Sequence, residues 1–210
     1  MNLRKLRQAE AAFLQRYPGA FDNPEIVAMR DKKHKSEKMI ALAQESFSKA
    51  NFKLPELIAH NMIKVVSRSS IISVFEKPRF RDFVNALPSE GKKRLSGGLR
   101  ELLYGEEQAG FESILESLKS GKLAKWSLMT VCQTYFHPQR DVFIKPTTVK
   151  GVIEYFELKN LQYQSTPSWA FYDAYRSAFY EMKSKVDQSL SPTNPAFSGF
   201  LWMSIQAKLF

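Results

Sequence analysis

Apolar residues recur every three or four positions along most of this chain, which is the spacing of one face of an α-helix. Breaker and capping residues separate the periodic stretches, as at Pro18-Gly19, Asn23-Pro24 and Pro167-Ser168. The pattern predicts helices over about residues 2 to 16, 24 to 50, 55 to 75, 80 to 84, 89 to 104, 111 to 120, 126 to 132, 148 to 156, 169 to 186 and 195 to 205.

These elements predict a mainly α-helical fold in which residues 1–210 form a single multi-helix globular domain. The nearly all-apolar helix from Trp126 to Cys132 is expected at the centre of its core. The run from Val142 to Lys145 adds the prediction of a short β-hairpin near residues 142–163. The alternative domain arrangement divides the chain into a basic half, 1–105, and an aromatic-rich half, 106–210.

The stretch from Phe136 to Arg176 is rich in aromatic residues, prolines and helix-start signals. Pro146 favours an extended residue before it, and the hydroxyls of Thr147 and Thr148 are predicted to cap the helix that follows. Ser168 is predicted to cap the next helix, which carries a Trp, Tyr and Phe stripe along one face. Such a stripe usually lies in the core, and the alternative is a face that contacts a ligand or partner.

Composition is that of a folded protein: 44% of the 210 residues are hydrophobic and 25% are charged. The single cysteine, Cys132, lies in an apolar run and cannot form an internal disulfide, so we expect a reducing cytoplasm. No stretch approaches the 18 apolar residues of a membrane span, so no membrane partner is expected.

The distribution of positive charge indicates the class of partner. The net charge is +10, and residues 1–105 carry 20 Lys and Arg against 11 Asp and Glu. This imbalance favours a polyanionic partner, either nucleic acid or an acidic protein face. The candidate polyanion-binding residues lie in two basic runs: Arg30, Lys32, Lys33, Lys35, Lys92, Lys93 and Arg94. The alternative for each run is an ordinary solvated helix face.

The segment from Phe75 to Phe83 alternates aromatic side chains with charges of both signs. Cations interleaved with aromatic rings can hold single-stranded nucleic acid by stacking and charge. Helical spacing favours a plainer interpretation, with Phe80, Phe83 and Val84 directed inward.

Motifs of known chemistry are missing from the sequence, including the nucleophile elbow, HExxH, CxxC and dinucleotide-binding glycines. We therefore predict no cofactor and no metal site, and favour a binding protein over an enzyme. His137 with Asp141 and Arg140 is the most arguable acid/base group, and the competing account is a loop histidine that caps or meets solvent.

Six blocks carry a resemblance, in the same order along the chain: Tyr17-Pro18-Gly19-Ala20-Phe21; Phe75-Glu76-Lys77 with Arg81-Asp82; Trp126-Ser127-Leu128 with Thr130; Pro138 with Val142 to Pro146 and Thr148; Tyr163 with Pro167, Trp169 and Tyr172; and Ser198 to Met203. They resemble the blocks of an uncharacterised bacterial protein family. That family has Gly, Pro and His where this chain has Ala20, Ser127 and Asp141. The resemblance implies shared architecture and no known activity.

Two functions compete on these observations. The leading hypothesis is a binding or regulatory module whose basic face contacts a polyanion. The alternative is a small-molecule enzyme or receptor with an aromatic-lined cleft formed by Lys145, Thr148, Tyr163, Trp169, Tyr172 and Arg176. A third hypothesis is a homo-oligomer that uses Trp202 and Phe210 at an interface.

Overall fold

The computed structural model describes residues 1–33 and 35–206, without the side chains of residues 30–33. Within those residues the chain forms α-helices and short 3₁₀ turns, and no β-strand. The helices are α1 Leu3–Arg16, α2 Pro24–Lys33, α3 Ser36–Ser46, α4 Pro55–Arg68, α5 Glu76–Ala86, α6 Ser89–Tyr104, α7 Glu107–Ser120, α8 Trp126–Phe136, α9 Pro146–Tyr155, α10 Trp169–Lys183 and α11 Asn194–Gln206. The 3₁₀ turns are Ala20–Asp22, Lys49–Lys53 and Gln188–Leu190.

Helix α8 lies at the centre of the core, as its apolar sequence predicts. Nearly every side chain from Trp126 to Phe136 is buried, and the helix contacts α3, α4, α6 and α7. One continuous cluster of buried apolar side chains runs from Leu6 in α1 to Leu201 in α11. The protein is therefore a mainly α-helical, single globular domain, and both sequence halves contribute to one core.

Local residues cap or end several helices, and Ser168 does so as predicted. The Asn2 side chain accepts a hydrogen bond from the Lys5 amide, 3.1 Å away, and caps α1. The Ser168 hydroxyl accepts from the Phe171 amide in the same way at the start of α10. Helix α6 ends at Gly105, and α7 ends at Gly121. Local capping chemistry therefore accounts for these boundaries.

Other predicted boundaries are wrong. The single helix predicted over residues 24 to 50 is divided into α2 and α3, because Lys35 adopts a left-handed conformation with φ of 45° that interrupts a right-handed helix. Helix α9 begins at Pro146 without a side-chain cap from Thr147 or Thr148. The sequence Asn194-Pro195 predicts an Asn cap for α11, but the Thr193 hydroxyl accepts from the Ala196 amide and the Asn194 side chain donates to the Asp141 carbonyl.

The predicted β-hairpin near residues 142–163 is also wrong. Residues 138–140 form a turn and residues 141–145 form no regular secondary structure, and side chains rather than a second strand accept from two of their backbone amides. The Val142 amide donates to the Tyr172 hydroxyl at 3.2 Å, and the Ile144 amide donates to the Thr130 hydroxyl at 3.0 Å. Since both amides are buried with side-chain partners, the segment needs no β-ladder.

Among the described residues, no helix combines the length and apolar character that crossing a membrane requires.

Helices α6 and α7 approach closely through glycine. A Cβ built on Gly110 would overlap the Leu102 backbone nitrogen and lie 2.7 Å from the Gly98 carbonyl oxygen. These contacts are with backbone, which cannot rotate away. Gly97, in the same α6 helix, is exposed and would meet no atom within 4 Å.

We expect Gly110→Ala to lower the free energy of unfolding by at least about 2 kcal/mol, because the two helices must separate to admit the methyl group. Gly97→Ala is the matched control and should raise it by about 0.5 to 1 kcal/mol through helix propensity. Chemical denaturation followed by circular dichroism measures both. Equal effects of the two substitutions would contradict the close α6–α7 contact.

Candidate functional site

A buried carboxylate organises the second half of the chain. Asp141 is 0% exposed, and its side chain accepts hydrogen bonds at both oxygens. Oδ2 lies 3.1 Å from Nε and 2.9 Å from Nη2 of Arg140, and Oδ1 lies 2.9 Å from the Tyr172 hydroxyl. Arg176 Nη1 approaches Oδ1 at 3.5 Å. The charge is thus fully paired inside the protein, as a buried ion requires.

Arg176 connects this carboxylate to two further acids. Its Nη1 lies 2.6 Å from Glu107 of α7, and its Nη2 lies 2.9 Å from Asp173 of its own helix. Its guanidinium also lies over the rings of Trp169 and Tyr172, each with a ring centroid 5.4 Å away. Arg176 is therefore held by ion pairs and cation–π contacts together.

Asn194 extends the network to α11. Its side-chain amide donates to the Asp141 carbonyl at 3.2 Å and to the Tyr180 hydroxyl at 3.3 Å, and its oxygen accepts from Lys183 at 2.9 Å. The network therefore joins α7, the segment before α9, α10 and α11. We call the group of Glu107, Arg140, Asp141, Tyr172 and Arg176 the buried charge network.

Burial affects proton affinities in this network. Burial raises the pKa of Asp141, and the nearby Arg140 charge and Tyr172 hydroxyl limit that rise. Burial and the adjacent Asp141 carboxylate raise the pKa of Tyr172 well above its ordinary value. Tyr172 therefore stays protonated and donates its hydrogen bond to Asp141.

These contacts leave the proposed small-molecule cleft without its key groups. Arg176 and the Tyr172 hydroxyl are occupied by carboxylates, so neither is available to an anionic ligand. Lys145 is exposed at the start of α9, and Thr148 lies half-buried one turn later. Trp169 belongs to the cation–π cluster of Arg176.

Tyr163 lies in a separate open groove of about 490 Å³ that is also lined by Lys150, Ile153, Glu154 and Ser165. The Lys150 ammonium lies 4.9 Å from the centroid of the Tyr163 ring. Of the six predicted cleft residues, Tyr163 alone lines this groove. The cleft hypothesis stays a prediction, and the observed contacts do not favour it.

His137 does not form an acid/base pair with the Asp141 side chain. Its Nε2 lies 3.0 Å from the Leu103 carbonyl oxygen near the end of α6, and Arg140 occupies the Asp141 carboxylate. This geometry favours the account in which the histidine caps a helix. Within the described residues, no group of three or more His, Cys, Asp or Glu is arranged to hold a metal ion.

The predicted polyanion-binding residues occupy different positions. The side chains of Arg30, Lys32 and Lys33 lie outside the described residues, and Lys35 is exposed at the start of α3. On α6, Lys93 is 3.9 Å from Glu90, Arg94 is exposed, and Lys92 forms an ion pair with Glu56 at 2.7 Å. The hydrogen bond from Lys92 lowers the pKa of Glu56.

A groove of about 270 Å³ between α4 and α5 contains that ion pair. It is lined by Glu56, Ala59, His60, Ile63, Val84, Asn85 and Lys92. Residues from the first part of α4 meet residues from the last part of α5, so the two helices run antiparallel. The groove therefore marks one end of the face that the two helices share.

Two rows of cations continue from this groove toward the α4–α5 turn. On α4, Lys64 and Arg68 follow His60 at four-residue spacing, and on α5, Arg81 and Lys77 precede Asn85 at the same spacing. Residues four apart share one helix face, so both rows lie beside the groove. We call Lys64, Arg68, Lys77 and Arg81 the α4–α5 basic surface.

Little acid accompanies this surface. Arg81 is 2.8 Å from its sequence neighbour Asp82, an exposed pair of small energetic value. For Lys64, Arg68 and Lys77, the described part of the chain places no carboxylate within ion-pairing distance. Lys64 and Arg68 were not among the polyanion-binding residues predicted from the sequence, although their four-residue spacing from His60 indicates a common helix face.

The aromatic residues beside this surface divide into two classes. Phe80 and Val84 are buried, and Phe83 packs against Gly121, as helical spacing predicts. Phe75, at the start of α5, is instead 79% exposed. Among the described residues no other aromatic side chain is as exposed, and Trp202 follows at 42%. Phe210 lies outside the described residues.

Gln133 is a polar residue in the core helix α8 that the sequence analysis did not single out. Its side chain is buried, and neither amide atom has a hydrogen-bond partner among the described residues. Such a group costs about 1 to 3 kcal/mol of stability relative to a satisfied one.

Comparison with protein-family models, curated proteins and solved structures finds no match for this chain. The resemblance to an uncharacterised bacterial family stays a prediction and contributes no chemistry. Function must therefore follow from the residues of this chain.

We expect Arg176→Met to lower the free energy of unfolding by about 1.5 to 3 kcal/mol, because Glu107 and Asp141 lose one of the two arginines that they share and keep only Arg140. Arg100→Met is the control, since Arg100 is exposed on α6 and should change stability by less than about 0.5 kcal/mol. Denaturant titration measures both. A small loss at Arg176 would show that the buried charge network does not hold α7 to α10.

Asp141 should also make stability depend on pH. Because its pKa is raised on folding, the folded state binds its proton more tightly than the unfolded chain, whose Asp has a pKa of about 3.9. The free energy of unfolding contributed by Asp141 therefore falls as pH rises from about 4 toward the raised folded value.

Asp141→Asn removes this titration, so the stability of the wild type minus that of the variant should decrease with pH across that interval. Denaturant titrations at a series of pH values measure the difference. An increase instead would show that the arginines outweigh burial and hold the pKa low.

Proposed function

We propose that this protein is a polyanion-binding module whose α4–α5 basic surface contacts nucleic acid. The observation that carries the proposal is the pair of cation rows on antiparallel helices, three of whose four members have no carboxylate partner among the described residues. Such cations concentrate positive potential on one face, which attracts phosphate groups.

The positions of the acidic residues also favour the α4–α5 basic surface as the binding face. In the second half, Glu107, Asp141 and Asp173 pair with Arg140 and Arg176. Of the acids on α4 and α5, Glu56 pairs with Lys92 and Glu76 pairs with Lys125, and the exposed Asp82 pairs with Arg81. The α4–α5 basic surface is thus left to interact with an external anion.

Lys92 and His60 add a second candidate phosphate contact, at the end of the surface that lies opposite Phe75. Both line the groove between α4 and α5, where Glu56 pairs with Lys92. A phosphate entering this groove would compete with Glu56 for Lys92. Lys92, Lys93 and Arg94 would then extend the contact onto α6, in keeping with their identification from sequence.

Binding to labelled single-stranded and duplex oligonucleotides, measured by fluorescence anisotropy at several salt concentrations, tests the proposal. If four phosphates are neutralised, the slope of log affinity against log salt should be about −3 for a single strand. The variant Lys64→Gln/Arg68→Gln/Lys77→Gln/Arg81→Gln should make the slope less negative by about 3 and weaken binding at low salt.

The control variant, Lys122→Gln/Lys145→Gln/Lys159→Gln/Lys185→Gln, makes the same change in net charge with exposed lysines of the second half. It should leave the slope nearly unchanged. Equal losses in both variants would show a response to net charge alone, and no binding at low salt would remove the proposal.

A further inference from the structure

We propose that the α4–α5 basic surface binds single-stranded nucleic acid, with the ring of Phe75 stacked on an unpaired base. This inference rests on the proposed function and specifies its ligand. Phe75 is 79% exposed at the start of α5, immediately beyond the last cations of both rows, Arg68 and Lys77. Phosphates along the rows and a base on the ring would form one continuous contact.

The turn that carries Phe75 is anchored to the core. The Ser69 hydroxyl lies 3.1 Å from the hydroxyl of buried Tyr135, and Ile72 is buried. The Phe75 amide donates to the Ser73 hydroxyl at 3.3 Å, and the Glu76 amide donates to the Ser73 carbonyl at 3.0 Å. The ring is therefore presented on a fixed backbone, which reduces the ordering that binding requires.

The two rows set the length of the contact. Eight residues separate His60 from Arg68 and Lys77 from Asn85, which corresponds to about 12 Å along each helix. The strand backbone would follow this distance from the groove at His60 to the ring of Phe75. This geometry suits a strand of a few nucleotides that lies along the helix pair.

Base pairing would prevent the stacking contact. In a duplex the faces of the bases are covered by their neighbours, and only edges and phosphates are presented to a protein. An aromatic ring at the end of a cation row thus adds affinity only for a strand whose bases are free. Phe75 should therefore discriminate between single-stranded and duplex ligands, whereas the cations should not.

An anionic membrane surface is the main competing partner for exposed Val74 and Phe75 beside cations. Helices that lie on membranes present a long apolar face along the whole helix. Here the exposed faces of α4 and α5 that lead away from the turn carry Lys64, Arg68, Lys77 and Arg81. A membrane would contact only the turn with Val74 and Phe75, whereas a nucleic-acid strand would also contact the cations along both helices. The distribution of cations therefore favours the nucleic-acid strand.

The test compares Phe75→Ala, Phe75→Trp and the matched control Val74→Ala, whose side chain is the adjacent one and is 70% exposed. The probes are an oligo-dT single strand of 12 nucleotides, a duplex of the same length, and vesicles containing phosphatidylserine. All three variants change side chains of an exposed turn, and circular dichroism checks that each variant is folded.

Phe75→Ala should weaken single-strand binding by about 5- to 150-fold, the range for one stacked base, and change duplex binding by less than about twofold. Val74→Ala should change neither by more than about twofold. Phe75→Trp should retain single-strand affinity and show tryptophan quenching beyond that of the wild type when the strand binds.

Unchanged single-strand affinity in Phe75→Ala would overturn this inference. If the four-cation variant still lost binding, the proposed function would stand without it. Equal losses for the single strand and the duplex would also overturn it, as would a Phe75-dependent loss confined to vesicles.

Discussion

The buried carboxylate of Asp141 is the constraint on which the second half of the structure depends. A charge removed from water must be paired and hydrogen-bonded, and its partners come from different elements. Arg140 is its sequence neighbour, while Tyr172 and Arg176 belong to α10. Through these contacts, and through Asn194 on its carbonyl, one short segment determines how α7, α10 and α11 are placed.

The same network affects how charge is distributed. It directs Glu107, Asp141 and Asp173 toward Arg140 and Arg176 and so balances those cations internally. No comparable acids face Lys64, Arg68 and Lys77 in the described part of the chain. Part of the positive charge of the first half is therefore unpaired on α4 and α5 among the described residues, and charge of one sign favours the approach of anionic ligands.

Much of the fold follows from local chemistry. The cap at Ser168, the helix ends at Gly105 and Gly121 and the central position of α8 follow from residues close in sequence, so they could be predicted. The interruption at Lys35 and the Thr193 cap could not be predicted from the apolar spacing. That spacing does not show which residue leaves the helical conformation, or which of two neighbouring side chains caps a helix. The segment at Val142 was predicted to be a strand, and this was wrong because its amides bind Thr130 and Tyr172 on two helices instead of a neighbouring strand.

The candidate binding surfaces were also hard to predict where they combine residues that are distant in sequence. Runs such as Lys92 to Arg94 are visible in sequence, whereas the α4–α5 basic surface combines residues from two helices that meet only on folding. Arg176 looked available to a ligand because its partner Glu107 is 69 residues away. Phe75 looked like its neighbours Phe80 and Phe83, and only the position of the turn distinguishes it.

Mapping the backbone amide shifts of the labelled protein during titration with a single-stranded oligonucleotide at low salt tests the central claim most directly. The account predicts that the largest changes fall in α4, α5 and the turn at Phe75, with α9 and α10 nearly unaffected. Changes centred on Lys145, Tyr163 and Trp169, or spread evenly over the lysines and arginines of the chain, would contradict it.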